Sequence, residues 1–298
     1  MFERLIRSQI EKKEKQLDRF LVRHEKEHPF PDGVLTRENI VYKEEDPLSC
    51  RMDVFRPVAA EGVLPVMFNI HGGGFLLGKK EVNRLFNADF CKRGFLVISA
   101  EYPTAPDADI FRILGDLAEA MKKAKEIAEE FSGDPTHFYL SGDSAGAWLC
   151  VYLAAMQNNP SLADAAGVDL AGTPKIRAVG LQSGMFYTDQ ADSIGMFLPK
   201  LIYGKGYKKH PFFPYINPES TAVTAHLPPV FLVTGRGDFL RHYSRRYAKA
   251  LAKANVPCRF LDLSEYGRLS HAFPAILPEI PASVAANNKM AEFFRDIM

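Results

Sequence analysis

The chain has 298 residues, 47% of them hydrophobic and 24% charged, with a formal net charge of +1. That balance fits a soluble globular protein of one large α/β domain or two small ones. It excludes a global field that would draw the chain to nucleic acid or an anionic membrane, and no apolar run approaches the ~18 residues of a membrane span.

Residues 1–27 carry apolar side chains at Phe2, Leu5, Ile6, Ile10, Leu17, Leu21 and Val22 among many Glu and Lys, a helical spacing. This segment has no apolar signal core. The four cysteines, Cys50, Cys91, Cys150 and Cys258, lie far apart without metal-ligand spacing, as thiols of a reducing compartment do. A cytoplasmic protein is the expectation. "PFPDG" (29–33) ends the helical pattern with two prolines and a glycine.

Two short runs with partial alternation follow, "NIVYKE" (39–44) and "CRMDVFRP" (50–57), as in antiparallel edge strands. Six nearly continuous apolar runs then predict strands buried on both faces: 64–74, 95–102, 137–142, 176–183, 229–235 and 258–264. Helix-forming stretches fall between them, at 116–131, 147–157, 245–254 and 285–298. Alternating strands and helices predict a mostly parallel eight-stranded sheet with helices on both faces. Residues 184–222 break the alternation, being too long for an ordinary connection and rich in aromatics and prolines. They are expected to form part of a helical cap over a domain spanning 37–298, with 1–36 as an N-terminal cap segment. The basic run "YGKGYKKH" (203–210) reads as a solvated loop.

Two glycine motifs carry chemistry. "GDSAG" puts Ser144 between Gly142 and Gly146, where a strand-like run gives way to a helix-like one. A nucleophile elbow needs small residues at these positions, because neighbouring backbone passes too close for a Cβ. Chance alone supplies roughly 0.1 such matches in a chain of this length, so the motif alone is modest. "HGGGF" (71–75), with His71 and Gly72 leading Gly73 and Gly74, is far rarer. Three consecutive glycines are entropically costly, and their use is to bring backbone N–H groups up to a developing oxyanion.

"HGGGF", "EYPTAP" (101–106) and "GDSAGA" (142–147) together resemble the hormone-sensitive-lipase-like family of α/β-hydrolases, mostly carboxylesterases. The resemblance runs from about residue 37 to the C-terminus. It implies the α/β-hydrolase fold, an oxyanion hole from Gly73, Gly74 and Ala145, and a Ser144 nucleophile. In α/β-hydrolases the acid and then the histidine follow the serine. His271, in "YGRLSHAF", lies after the last predicted strand and resembles the family's catalytic His-Gly-Phe, whereas His226 and His242 read as structural and surface residues. Asp238, in "TGRGDFLRH", resembles the family's catalytic acid, with Asp262 and Glu265 as competitors. The sequence departs from the family at Phe239, His242, Ala147 and the arginine missing from "YPTAPD", which weakens any carry-over of substrate preference. Asp143 has no assigned role.

The expected function is hydrolysis of short- to medium-chain acyl or aryl esters through an acyl-enzyme, without metal or organic cofactor. The partner is a small-molecule ester, with Phe75, Phe186 and Tyr187 as candidate pocket residues; a homodimer is left open. An amidase or formamidase with the same residues, a long-chain lipase, and a non-catalytic small-molecule receptor on the same fold remain as alternatives.

Overall fold

The computed structural model describes residues 2–298. Helix α1 (Phe2–Glu27) leads into β1 (Val34–Val41), β2 (Arg51–Pro57) and β3 (Leu64–Ile70). The chain continues through α2 (Arg84–Cys91), β4 (Leu96–Ala100), α3 (Ile110–Glu130), β5 (Gly133–Asp143), α4 (Ala145–Asn158), α5 (Pro160–Ala166) and β6 (Ile176–Gln182). Then come α6 (Ser193–Ile202), α7 (Thr221–Thr224), β7 (Val230–Gly235), α8 (Arg241–Lys253), β8 (Cys258–Leu263), α9 (Phe273–Ile276) and α10 (Pro281–Arg295).

The eight strands form one sheet in the order β1-β2-β4-β3-β5-β6-β7-β8. β1 pairs antiparallel with β2, and β2 with β4, while every other pair is parallel. Both antiparallel pairings lie at one edge, where the sequence alternates. The interior strands, apolar along nearly their whole length, are covered on both faces. α3, α4 and α8 bury Leu114, Trp148 and Tyr247 on one face; α2 and α10 bury Phe86, Phe90, Met290 and Phe294 on the other. The boundary expected at 36/37 falls inside β1, whose Val34 already pairs with Pro57.

The parallel strands point the same way, so the loops leaving their C-terminal ends gather at one edge, the usual ligand-binding edge of such sheets. Residues 184–222 hold α6 and two 3₁₀ turns. They pack on the helices beside that edge: Phe212 lies 5.5 Å from both Phe111 and Tyr152 by ring centroids, and the Tyr152 hydroxyl donates to the carbonyls of Tyr215 and Ile216 at 2.6 and 2.9 Å. Among the described residues no helix is long and apolar enough to cross a membrane.

Candidate active site

β5 delivers Ser144 directly into α4. The turn holds Ser144 at φ 52°, ψ −113°, a positive-φ conformation that a non-glycine residue keeps only when its surroundings enforce it. Two backbone bonds do so: Ser144 N–H donates to the Gln182 carbonyl and Met185 N–H to the Ser144 carbonyl, each at 2.9 Å. The flanking glycines are explained by packing. A Cβ on Gly142 would stand 2.5 Å from the Gly146 carbonyl carbon, and one on Gly146 would overlap the Ile70 carbonyl oxygen. Ala145 opens α4, so its N–H belongs to the first turn, where no carbonyl of the same helix can accept and the helix dipole favours negative charge.

The HGGG loop leaves β3 beside this turn. Gly73, at φ +125°, turns so tightly that its carbonyl accepts from the N–H groups of Leu76 and Leu77 at 3.2 and 3.1 Å. A Cβ there would overlap the Leu77 carbonyl. Among the described residues the N–H groups of Gly73 and Gly74 have no hydrogen-bond partner. Asp143, unexplained by sequence, joins the two motifs. Its Oδ1 accepts from Gly72 N–H at 3.0 Å and from Asn83 Nδ2 at 2.8 Å. A Cβ on Gly72 would run into that carboxylate. Burial raises the pKa of Asp143, against the opposing pull of Asn83, His71 and His271.

His71 fixes the loop from behind. Its Nε2 is 3.0 Å from Glu101 Oε1 and its Nδ1 2.7 Å from the Gly72 carbonyl, and its ring stacks on Tyr102 at 4.3 Å. The Gly72 carbonyl can only accept, so Nδ1 carries a proton, and a carboxylate at Nε2 favours a second one there. Burial opposes that charge, but the Glu101 carboxylate outweighs it and raises the pKa. Glu101 Oε2 also accepts from Lys80 N–H at 3.1 Å, and the buried Lys80 ammonium meets Asp53 at 2.8 Å. The loop thus rests on a buried, paired set of charges, of which its motif names only His71.

Asp238 follows β7 and His271 follows β8. Asp238 Oδ1 and His271 Nδ1 are 2.7 Å apart. Burial works against ionised Asp238, but bonds from His271, the Leu240 N–H and the Ser183 hydroxyl hold its carboxyl below the ordinary aspartate range. The Thr234 hydroxyl adds a further bond at 2.8 Å. An ionised carboxylate only accepts, so Nδ1 of His271 carries the proton and Nε2 is left as a base. The Asp238 side chain is 0% exposed and that of His271 22%, so the pair opens to solvent only through the imidazole. Phe239, 62% exposed, sets its ring 4.3 Å from that imidazole.

Ser183 is the site residue that sequence reading missed. At φ 51° and fully buried after β6, it accepts from Ala272 N–H at 3.0 Å while its own N–H donates to Val233 at 2.9 Å. Besides bonding to Asp238, it ties the residue after His271 to the strand whose last carbonyl holds Ser144.

Of the competing residues, only Asp262 has its side chain in an ion pair among the described residues. Asp262 is held by Arg241 at 2.8 and 3.0 Å, and Glu265 is exposed. His242 packs on Tyr243 at 4.5 Å, and the His226 carbonyl accepts from Asn158. Phe75, Phe186 and Tyr187 are each fully buried. Their rings meet Trp148 at 5.5 Å, Tyr247 at 4.3 Å and Tyr243 at 4.9 Å, and the Tyr187 hydroxyl donates to Glu219 at 2.6 Å.

A family model described as alpha/beta hydrolase fold matches residues 67–275. The chain is 26% identical over 251 residues to carboxylesterase NlhH of Mycobacterium tuberculosis, covering 79% of this chain and 75% of that protein. It is 26% identical over 262 residues to versiconal hemiacetal acetate esterase of Dothistroma septosporum, covering 83% and 77%. In three dimensions it is similar to esterase B from Lactobacillus rhamnosis, with a TM-score of 0.90 at 21% identity over 99% of this chain and 96% of that one. The family match spans both glycine motifs, Asp238 and His271, and with this sheet order it leads to one conclusion: the chain belongs to the α/β-hydrolase family.

Proposed function

We propose that the protein is a serine carboxylesterase acting on short- to medium-chain acyl or aryl esters. Ser144 Oγ attacks the ester carbonyl carbon while Nε2 of His271 takes its proton. Asp238 holds the imidazole in its tautomer and stabilises the imidazolium. The N–H groups of Gly73, Gly74 and Ala145 receive the oxyanion, each donor contributing about 3 kcal/mol in the transition state. The imidazolium then protonates the leaving alcohol as the C–O bond breaks. Water, activated by the same imidazole, releases the carboxylic acid and returns the proton to Ser144.

The observation that carries this reading is the 2.7 Å contact between Asp238 and His271, tied through Ser183 to a serine at positive φ. Esterase names among its relatives support the ester as substrate. Low exposure of Ser144, 5%, supports a narrow entrance and a small acyl group. α1 and residues 184–222 are proposed to cap that entrance, since Lys79, just beyond the glycine loop, pairs with Asp18 of α1 at 2.6 Å.

The test is turnover of p-nitrophenyl acetate, butyrate and octanoate beside a Ser144→Ala control and an N-formyl aryl amide. Hydrolysis of the shorter esters that vanishes in the control is the expected result. Equal turnover by the control would overturn the nucleophile, and cleavage of the amide alone would assign an amidase.

A further inference from the structure

We propose a site for a divalent transition-metal ion, suited to zinc, where α1 meets the loop between α9 and α10. Its ligands are Nε2 of His24, Nε2 of His28 and the carboxylate of Glu279. Residues 24–28 read His-Glu-Lys-Glu-His, the four-residue spacing by which one helix face presents two imidazoles to one ion. The helical turn runs through the pair, since His28 N–H donates to the His24 carbonyl at 2.8 Å. The two rings are 5.0 Å apart by centroids.

Both Nε2 atoms approach the same oxygen, Glu279 Oε1, at 3.2 Å from His24 and 3.7 Å from His28. All three donor atoms lie within 4.8 Å of one another. Around a tetrahedral zinc with bonds of about 2.0–2.1 Å, neighbouring donors stand roughly 3.3 Å apart. A hydrogen bond to Glu279 accounts for His24 alone. The second imidazole, 3.7 Å from that oxygen, is beyond hydrogen-bond reach yet at the spacing of a shared ion. Two imidazoles and one carboxylate suit zinc, whereas magnesium and calcium favour oxygen sets. His28 and Glu279 also line an open depression of about 180 Å³ with Asp89 and Lys92, so the remaining coordination positions face water, and Asp89 is already paired with Arg93.

The neighbouring acid gives the ion a structural role. Glu25 lies 3.6 Å from Arg84, drawn away as an ion-pair partner rather than left beside the metal as a base. Among the described side chains of α1 only Leu21 and His24 are buried. Surface ion pairs add Arg7 to Asp107 and Asp18 to Lys79, each a weak contribution. An ion joining the last turn of α1 to Glu279 would fasten that turn to the loop before α10.

The experiment uses the full chain, stripped with a chelator and titrated with zinc by calorimetry. Cobalt(II) absorption reports the ligand geometry, and hydrogen exchange of α1 reports its fastening. One zinc per chain, a tetrahedral cobalt spectrum and slower exchange across α1 are expected, with no response to magnesium. His28→Ala removes a side chain that is 42% exposed, and Glu279→Gln keeps the shape of the carboxylate. Each should weaken zinc binding at least about tenfold, or 1.4 kcal/mol, and abolish the slowed exchange. Absence of stoichiometric binding would overturn the site, as would binding unchanged in either variant, which would place the ion elsewhere. None of these readouts depends on Ser144, so failure here leaves the esterase reading untouched.

Discussion

Replacing Asp143 by alanine tests whether the two glycine motifs work as one unit. The carboxylate accepts from Gly72 N–H and Asn83 Nδ2, and both donors are buried. Leaving a buried donor without an acceptor costs about 1–3 kcal/mol, so two such losses sum to roughly 2–6 kcal/mol. Removing a buried charge returns part of this, because burial already pushes Asp143 toward its neutral form. A net loss of about 2–3 kcal/mol is expected, a large share of the ~5–15 kcal/mol that holds a typical domain together. Catalysis should suffer separately. The loop bearing Gly73 and Gly74 is anchored at Gly72, and misplacing one oxyanion donor costs about 10²–10³ in kcat. Asp143→Asn keeps an acceptor oxygen without the charge, so it should lose no more than about 1 kcal/mol and about tenfold in kcat. Urea unfolding followed by circular dichroism gives the first quantity, and turnover of p-nitrophenyl butyrate the second. If Asp143→Ala stayed within about 0.5 kcal/mol of the wild type, the range of a neutral surface change, and kept its kcat within twofold, the coupling would be refuted.

Three further outcomes follow from the same geometry. Asp238→Asn should lower kcat by about 10⁴ through the wrong imidazole tautomer, while Glu265→Gln, at an exposed position, should leave it unchanged; the reverse order in steady-state kinetics would reassign the acid. Gly146→Ala should destabilise the fold by about 3 kcal/mol or more, since its Cβ would overlap the Ile70 carbonyl; thermal melting near the wild-type midpoint would contradict this. Asp238 titrates below its ordinary value of 3.8, so its contribution to stability is complete above that pH and lost as pH falls through the lower folded-state value. Urea midpoints measured from neutral to acid pH should therefore drop more steeply for the wild type than for Asp238→Asn.

Much of this architecture was legible because burial leaves marks in sequence. β3 to β7 read as apolar runs since both of their faces are covered, and Gly72, Gly142 and Gly146 stand where backbone or a carboxylate leaves no space for a Cβ. The rest depends on partners distant in the chain. Asp143 acquires its role from Gly72, 71 residues away, and no local pattern announces that bond. Ser183 is a single serine after a strand, and its positive φ arises only once β6, β7 and Ala272 are in place. α2 has eight residues, barely two turns, and α6 carries Pro199 within it, so neither shows a sustained helical period. Phe186 and Tyr187 announce themselves as aromatic, but whether such a ring faces a ligand or another ring is decided by tertiary packing. The His-Glu-Lys-Glu-His spacing was present in the letters; its third partner lies 255 residues beyond His24.

Of the seven non-glycine residues with positive φ among those described, four belong to this one site: Phe75, Ser144, Ser183 and Ala272. Each is buried, and each backbone distortion of this kind costs of the order of 1–3 kcal/mol unless its surroundings hold it. Such a site resists loosening by degrees. If packing around one of these residues gives way, its backbone relaxes to an ordinary conformation and the arrangement is gone. On heating, catalytic competence should therefore vanish together with the cooperative collapse of the sheet, and not fade beforehand while the sheet is still intact.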